Sequence, residues 1–181
     1  MNTTLKHIHE RSSIRAYQPE ALSPEETDLL KEAVLAAPTA RNRQDLRYAF
    51  VTDPGLLEKI DERIFAFCDP DMQKNMDERK STSFFYGAPL AVIISGKDTK
   101  WADLDAGIAV QTLALAAQSM GLSSVILGMP RLAFQKDDPD NCRDLLSLEE
   151  DERFCVAIAI GRAAAEKTPH VGNPDHIRIF D

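Results

Sequence analysis

The segment WADLDAGIAVQTLALAAQSM, residues 101–120, restricts the possible folds more than any other part of the chain. After Asp105 it contains no charged residue, and Gly121 follows it as a helix C-cap. A helix that is apolar nearly all round must be covered on most sides. In a chain of 181 residues that points to the core of one domain, a contact between two subunits, or both. A two-fold pairing is the commonest way to bury such a surface, so a homodimer is expected.

The rest of the pattern surrounds this helix with short strands. Residues 3–11 read as a first helix, with Leu5 and Ile8 on its inner face. Residues 23–37 carry a stronger signal, because Ser23, Pro24 and Glu26 form a capping box and Leu29, Leu30, Ala33, Val34 and Ala37 trace an apolar stripe that Pro38 ends. A strand is expected at 48–52, then a helix from Pro54 through Leu57, Ile60 and Ile64. Segment 68–83 is polar and reads as a lid. Apolar runs at 90–95, 123–127 and 154–160 read as buried strands, a short helix falls near 140–146, and IRIF at 177–180 reads as a further strand. Four or five strands mixed with helices give a single layered domain over 1–181, of the α+β or α/β class.

Charge narrows the function. The chain has 21 basic and 29 acidic side chains, a net charge of −8, which argues against a nucleic-acid partner. No apolar run approaches the ~20 residues of a membrane span. Cys68, Cys142 and Cys155 form no CxxC pair, which fits a reducing cytoplasm, and no zinc-ligand spacing joins them to the histidines. Nucleophile, zinc-protease, phosphate-loop and dinucleotide fingerprints are missing, so the hard chemistry of an enzyme here would come from a cofactor.

Against this acidic background, RSSIR at 11–15 places two guanidinium groups four residues apart around two hydroxyls. Such a group can clamp a phosphate monoester, although an isolated RSxxR is more often a solvated turn. APTARNRQ at 37–44 gathers the donors and acceptors Thr39, Asn42 and Gln44, and such amides can read the edge of a heterocycle or simply form a turn. At Gly128 a buried strand breaks where a planar ligand could approach the backbone, or where the strand simply turns.

In this order, RSSIRAY, APTARNRQ, FYGAP at 85–89, DAGIAVQTLALAAQSMGLSS and AIG followed by KTPH resemble the FMN-dependent nitroreductase family over nearly the whole chain. The resemblance implies an α+β fold with a central mixed, mostly antiparallel sheet flanked by helices. It implies a C-terminal arm laid on a partner subunit, and a homodimer with two flavin sites at its interface. By analogy Arg11, Ser12, Ser13 and Arg15 hold the FMN phosphate, and Lys167 and His170 approach it from the tail. Pro38, Thr39, Ala40, Asn42 and Gln44 line the ring and ribityl chain, some from the partner, and the amides of Leu127 and Gly128 face the flavin's redox-active nitrogen. The implied activity is ping-pong electron transfer from NADH or NADPH to a nitroaromatic, quinone or similar small acceptor. Relatives with the same fold include enone reductases, dehydrogenases and dehalogenases, and a flavin-binding protein without turnover is a further reading. Asp45 and Leu46 stand where the family often has Pro-Trp.

Overall fold

The computed structural model describes residues 2–180. Its centre is a four-stranded sheet in the order β1-β2-β4-β3, built from β1 (Leu46–Val51), β2 (Leu90–Lys97), β3 (Ser123–Leu127) and β4 (Glu152–Gly161). All three strand pairings are antiparallel. Among the described residues the parallel contact is an isolated bridge from Ser13 to Ser124 on the β3 edge. The expected mostly antiparallel α+β sheet is therefore present. Residues 177–180 do not join it. Among the described residues they pair with no strand, and Ile179 and Phe180 are 81% and 90% exposed.

Side-chain alternation gives the sheet two apolar faces. On one face Leu90, Val92, Ile94, Ile158 and Ile160 meet α5 (Ala102–Ser119) and α2 (Pro24–Leu35). On the other, Ala91, Ile93, Ala157, Ala159 and Val125 meet α3 (Pro54–Phe67) and the 3-10 turn Met129–Phe134. The helix α5 offers Ala106, Ala109, Ala114 and Ala117 to the branched face, so its axis comes close to the sheet and large side chains interlock with small ones. The sequence reading of a buried helix is half right. Leu113 is fully buried, but the opposite side exposes Gly107 and leaves Leu104 55% exposed.

Local signals set the element ends. Ser23 and Glu26 form the expected reciprocal cap, with Glu26 N–H donating to Ser23 Oγ at 3.1 Å and Ser23 N–H donating to Glu26 Oε2 at 2.7 Å. The helix stops at Leu35, before Pro38. Gly121 closes α5 at φ +74°, a backbone that favours glycine. At Gly161 the need is space, since a Cβ there would lie 2.6 Å from Pro89 Cδ.

Two expectations change. The helix α1 (Thr3–Glu10) touches α5 but buries no residue, and Leu5 and Ile8 are nearly half exposed. The polar segment 68–83 contains a capped helix, α4 (Pro70–Glu78). Asp69 accepts from Met72 N–H at 2.8 Å, and Met76 is buried. Arg63 on α3 pairs with buried Asp138, tying α3 to the loop after the 3-10 turn.

Leu113→Ala should lower unfolding free energy by about 2–5 kcal/mol, because the tightly packed α5–sheet contact cannot collapse around the lost side chain. The shift in urea midpoint, at unchanged slope, measures it.

Candidate functional site

The candidate residues form two groups at opposite ends of α5. At the C-terminal end, the segment after α1 runs along the β3 edge, with Ile14 N–H donating to Ser124 O at 3.1 Å. There Ser12 Oγ donates to the backbone carbonyl of Lys167 at 3.2 Å, which sets the RSSIR segment beside the tail. Ser12, Ser123, Gln118, Lys167 and Thr168 line a cleft of about 500 Å³, with Glu10 at its wall. Arg11, Ser13 and Arg15 are half-buried beside it, and Arg15 Cζ lies 6.0 Å from the centre of the Tyr86 ring. Among the described residues, no ion pair involves Arg11, Arg15 or Lys167. In a chain with excess carboxylate, cations left without carboxylate partners suit an external anion. His170 is exposed, further along the tail.

At the N-terminal end of α5, residues 38–44 form a tight loop. Arg41, Asn42 and Gln44 all take left-handed backbone angles, with φ of 55°, 53° and 54°. Such angles cost non-glycine residues free energy, and the loop is held by its own bonds. Ala40 N–H donates to Asp105 Oδ1 at 2.9 Å, Gln44 N–H to Thr39 Oγ1 at 3.1 Å, and Gln44 Nε2 to Asn42 Oδ1 at 2.9 Å. Pro38, Asn42 and Gln44 are exposed, so this chain presents them outward.

Between Asp105, which holds the loop, and Gln118, which lines the cleft, α5 rises by about 20 Å. One chain therefore does not bring the two groups together. Leu127 is buried at the end of β3, while Gly128 is exposed at φ −93°, so its glycine is not a torsional requirement. A Cβ there would meet no atom of the chain within 4 Å. The missing side chain leaves the backbone open to an outside ligand.

The model of the nitroreductase family matches residues 8–162. The chain belongs to that family. It is 30% identical to a nitroreductase with bound FMN from Desulfitobacterium hafniense, with a TM-score of 0.91 and both chains covered in full. A nitroreductase with bound FMN from Bacteroides fragilis shares 26% identity at a TM-score of 0.87, again over 100% of each chain. An FMN reductase (NAD(P)H) of Bacillus subtilis is 30% identical over 174 residues, 91% of this chain and 67% of the relative.

The family match includes the residues from Arg11 to Gly128 and ends before Lys167 and His170. Three functional-looking side chains were missed by sequence reasoning. Asp105, 5% exposed, anchors the strained loop and, after burial itself, helps to push the Tyr48 hydroxyl pKa up. Its signal was that it is the last charged residue before the uncharged stretch of the helix. Tyr86 under Arg15 had none. Asp61, 6% exposed, accepts Phe84 N–H at 2.8 Å and lines a separate cavity against α3.

Burial pushes the Asp61 carboxyl up to about 6, with Ser83 and Phe84 N–H opposing. The folded chain then holds this proton more tightly than the unfolded one. The associated stability is present below the ordinary carboxylate pKa, near 4, and is lost as pH rises through about 6. Asp61→Asn keeps the oxygen facing Phe84 N–H without the charge. Relative to wild type it should be near neutral at pH 4 and gain ~2–3 kcal/mol by pH 8, an upper bound for a shift of this size. Urea unfolding at the two pH values tests the sign.

Proposed function

We propose that this chain is an FMN-dependent NAD(P)H oxidoreductase whose flavin site is completed by a second copy. The observation that carries the reading is the pair of half-sites at opposite ends of α5. A two-fold axis across the exposed outer face of α5 would set two such helices antiparallel. The loop 38–44 of one chain would then stand beside the Arg11–Arg15 segment of the other. That face supports the pairing, since Leu104, Gly107, Ile108 and Leu115 line a shallow groove and a Cβ on Gly107 would meet nothing within 4 Å. The apolar tail residues Val171, Ile177, Ile179 and Phe180 are 73–92% exposed, as an arm reaching a partner would be.

The residues fit the group. Arg11 and Arg15, with Ser12, Ser13 and Lys167, would hold the FMN phosphate, and His170 would approach from the tail. Residues Ser123–Leu127 of β3 rise by about 13 Å, which separates the phosphate cradle from the open backbone at Leu127 and Gly128 on the scale of a ribityl chain and ring. Pro38, Thr39, Ala40, Asn42 and Gln44 would close the ring side from the partner, their loop fixed in advance by Asp105. When bound, FMN supplies hydride acceptance from NADH or NADPH and electron delivery to a nitroaromatic, quinone or similar acceptor, in two half-reactions at one face. The protein's own part is positioning and electrostatics. The three free cysteines suit a reducing cytoplasm. Among the described residues no helix is long and apolar enough to cross a membrane.

The first test is the visible spectrum of the purified protein with FMN, under anaerobic conditions, before and after NADPH and then NADH. Bleaching of the bound flavin by either donor is expected, and a bound flavin that stays oxidised favours a binding protein without turnover. Arg11→Ala should weaken FMN binding ~10–100-fold, as loss of a charge-assisted bond implies, while Thr39→Ala should cost less than ~10-fold. Equal losses in a flavin titration would refute the division into phosphate and ring sides.

Gly107→Glu separates assembly from folding. Within one chain the change improves helix propensity by about 0.5 kcal/mol, so the fold should hold. Sedimentation should show a monomer, and FMN affinity should drop with it. A dimer with full affinity would remove α5 from the interface.

A further inference from the structure

A wide cavity against α3 plays no part in the flavin reading. It holds about 840 Å³ between the start of α3, the Thr82–Pro89 turn and residues 19–22. That lies within the roughly 300–1,000 Å³ of small-molecule sites. Leu57, Phe65, Phe85 and Ala88 give it an apolar lining. The ionisable side chains on its wall are acidic, namely Glu58, Asp61 and Glu62 of α3, while Pro19, Ala21, Leu22, Thr52, Pro54 and the 82–89 turn bring no charge and Glu20 is paired with Arg162. Glu58 and Glu62 are exposed at the rim. Asp61 is only 6% exposed, and among the described residues no cation stands within 4.0 Å of it. Oδ1 takes Phe84 N–H at 2.8 Å, so the backbone holds the carboxyl at the wall.

An acid held at an apolar wall without a cation is costly to ionise, and a bound cation would offset that cost. We propose that this cavity is a binding site for a small organic cation, a primary ammonium on an aromatic or aliphatic body, with Asp61 as its counter-ion. The body would bury against Leu57, Phe65 and Phe85. The ammonium would donate to the Asp61 carboxylate in a partly dry setting, where charge-assisted bonds are strong. Glu58 and Glu62 would draw a cation to the mouth and repel an anion. The carboxyl must ionise to receive the ammonium, so binding below about pH 6 releases a proton and affinity falls as pH drops. The site stands whether or not FMN binds elsewhere.

Calorimetric titration of the full chain, supplied with FMN, with benzylamine and with benzyl alcohol tests it. These probes share a ring and differ in charge. At pH 8 benzylammonium should bind saturably and at least ~10-fold more tightly than the alcohol, the scale of one charge-assisted bond. Its affinity should fall ~10-fold between pH 8 and pH 5, following ionisation of a carboxyl near 6. Asp61→Asn, which should fold at least as well as wild type, should abolish the preference for the amine. Thr82→Trp, at an exposed position on the wall, should weaken binding by filling the cavity. No saturable binding, equal affinity for the two probes, a pH-independent preference, or full affinity in either variant would overturn the proposal.

Discussion

The contact between the alanines of α5 and the branched side chains of the sheet governs the rest of the molecule. Ala106, Ala109, Ala114 and Ala117 let the helix approach Val92, Ile94, Ile158 and Ile160 closely, and a larger residue at any of them would push the layers apart. That contact fixes the axis of a helix 18 residues long. One end then carries Asp105 and the strained loop, and the other carries Gln118 and the serine-lined cleft. The separation of the two half-sites is thus a consequence of core packing. It is also why the proposed site needs two chains.

Much of this was legible in the sequence because it depends on local chemistry. The capping box at Ser23, the glycine stop at Gly121 and the run Ser123–Leu127 involve neighbours in the chain, so spacing and residue type suffice. Long-range placements were harder. The apolar residues Leu5, Ile8, Ile177, Ile179 and Phe180 carry the pattern of packed elements, yet Leu5 and Ile8 are nearly half exposed and the other three almost bare. Periodicity reports that a face is apolar and cannot report whose surface covers it. The polar segment 68–83 misled in the opposite direction. A short helix pinned by Asp69 and by one buried methionine, Met76, leaves little apolar signal.

The site was legible by residue type and illegible by geometry. Thr39, Asn42 and Gln44 read as ligand-facing donors and acceptors, but the two amides spend bonding capacity on each other, through Gln44 Nε2 and Asn42 Oδ1. Their backbone angles explain why. Three non-glycine residues in the left-handed region need local bonds to stay there, and the Asp105 carboxylate fixes the start of the loop. Glycine at those positions would adopt the angles without strain but would lose the side chains. The loop therefore trades conformational ease for functional groups, as expected of a segment selected to present side chains outward.

Charge organises the surface by contrast. Most arginines with a role in stability are matched, Arg63 by Asp138, Arg153 by Asp98 and Asp103, and Arg162 by Glu20 and Glu26. Arg11 and Arg15 sit half-buried with no such partner, and Arg15 rests on an aromatic ring. Asp61 is their mirror image, a buried acid with no cation. In a folded chain each unmatched charge costs desolvation that a neighbour of opposite sign would offset. An anion at Arg11 and Arg15 and a cation at Asp61 would complete the pairing. The two proposed sites would then differ in kind, one completed by a second copy, the other lined by a single chain and governed by one proton.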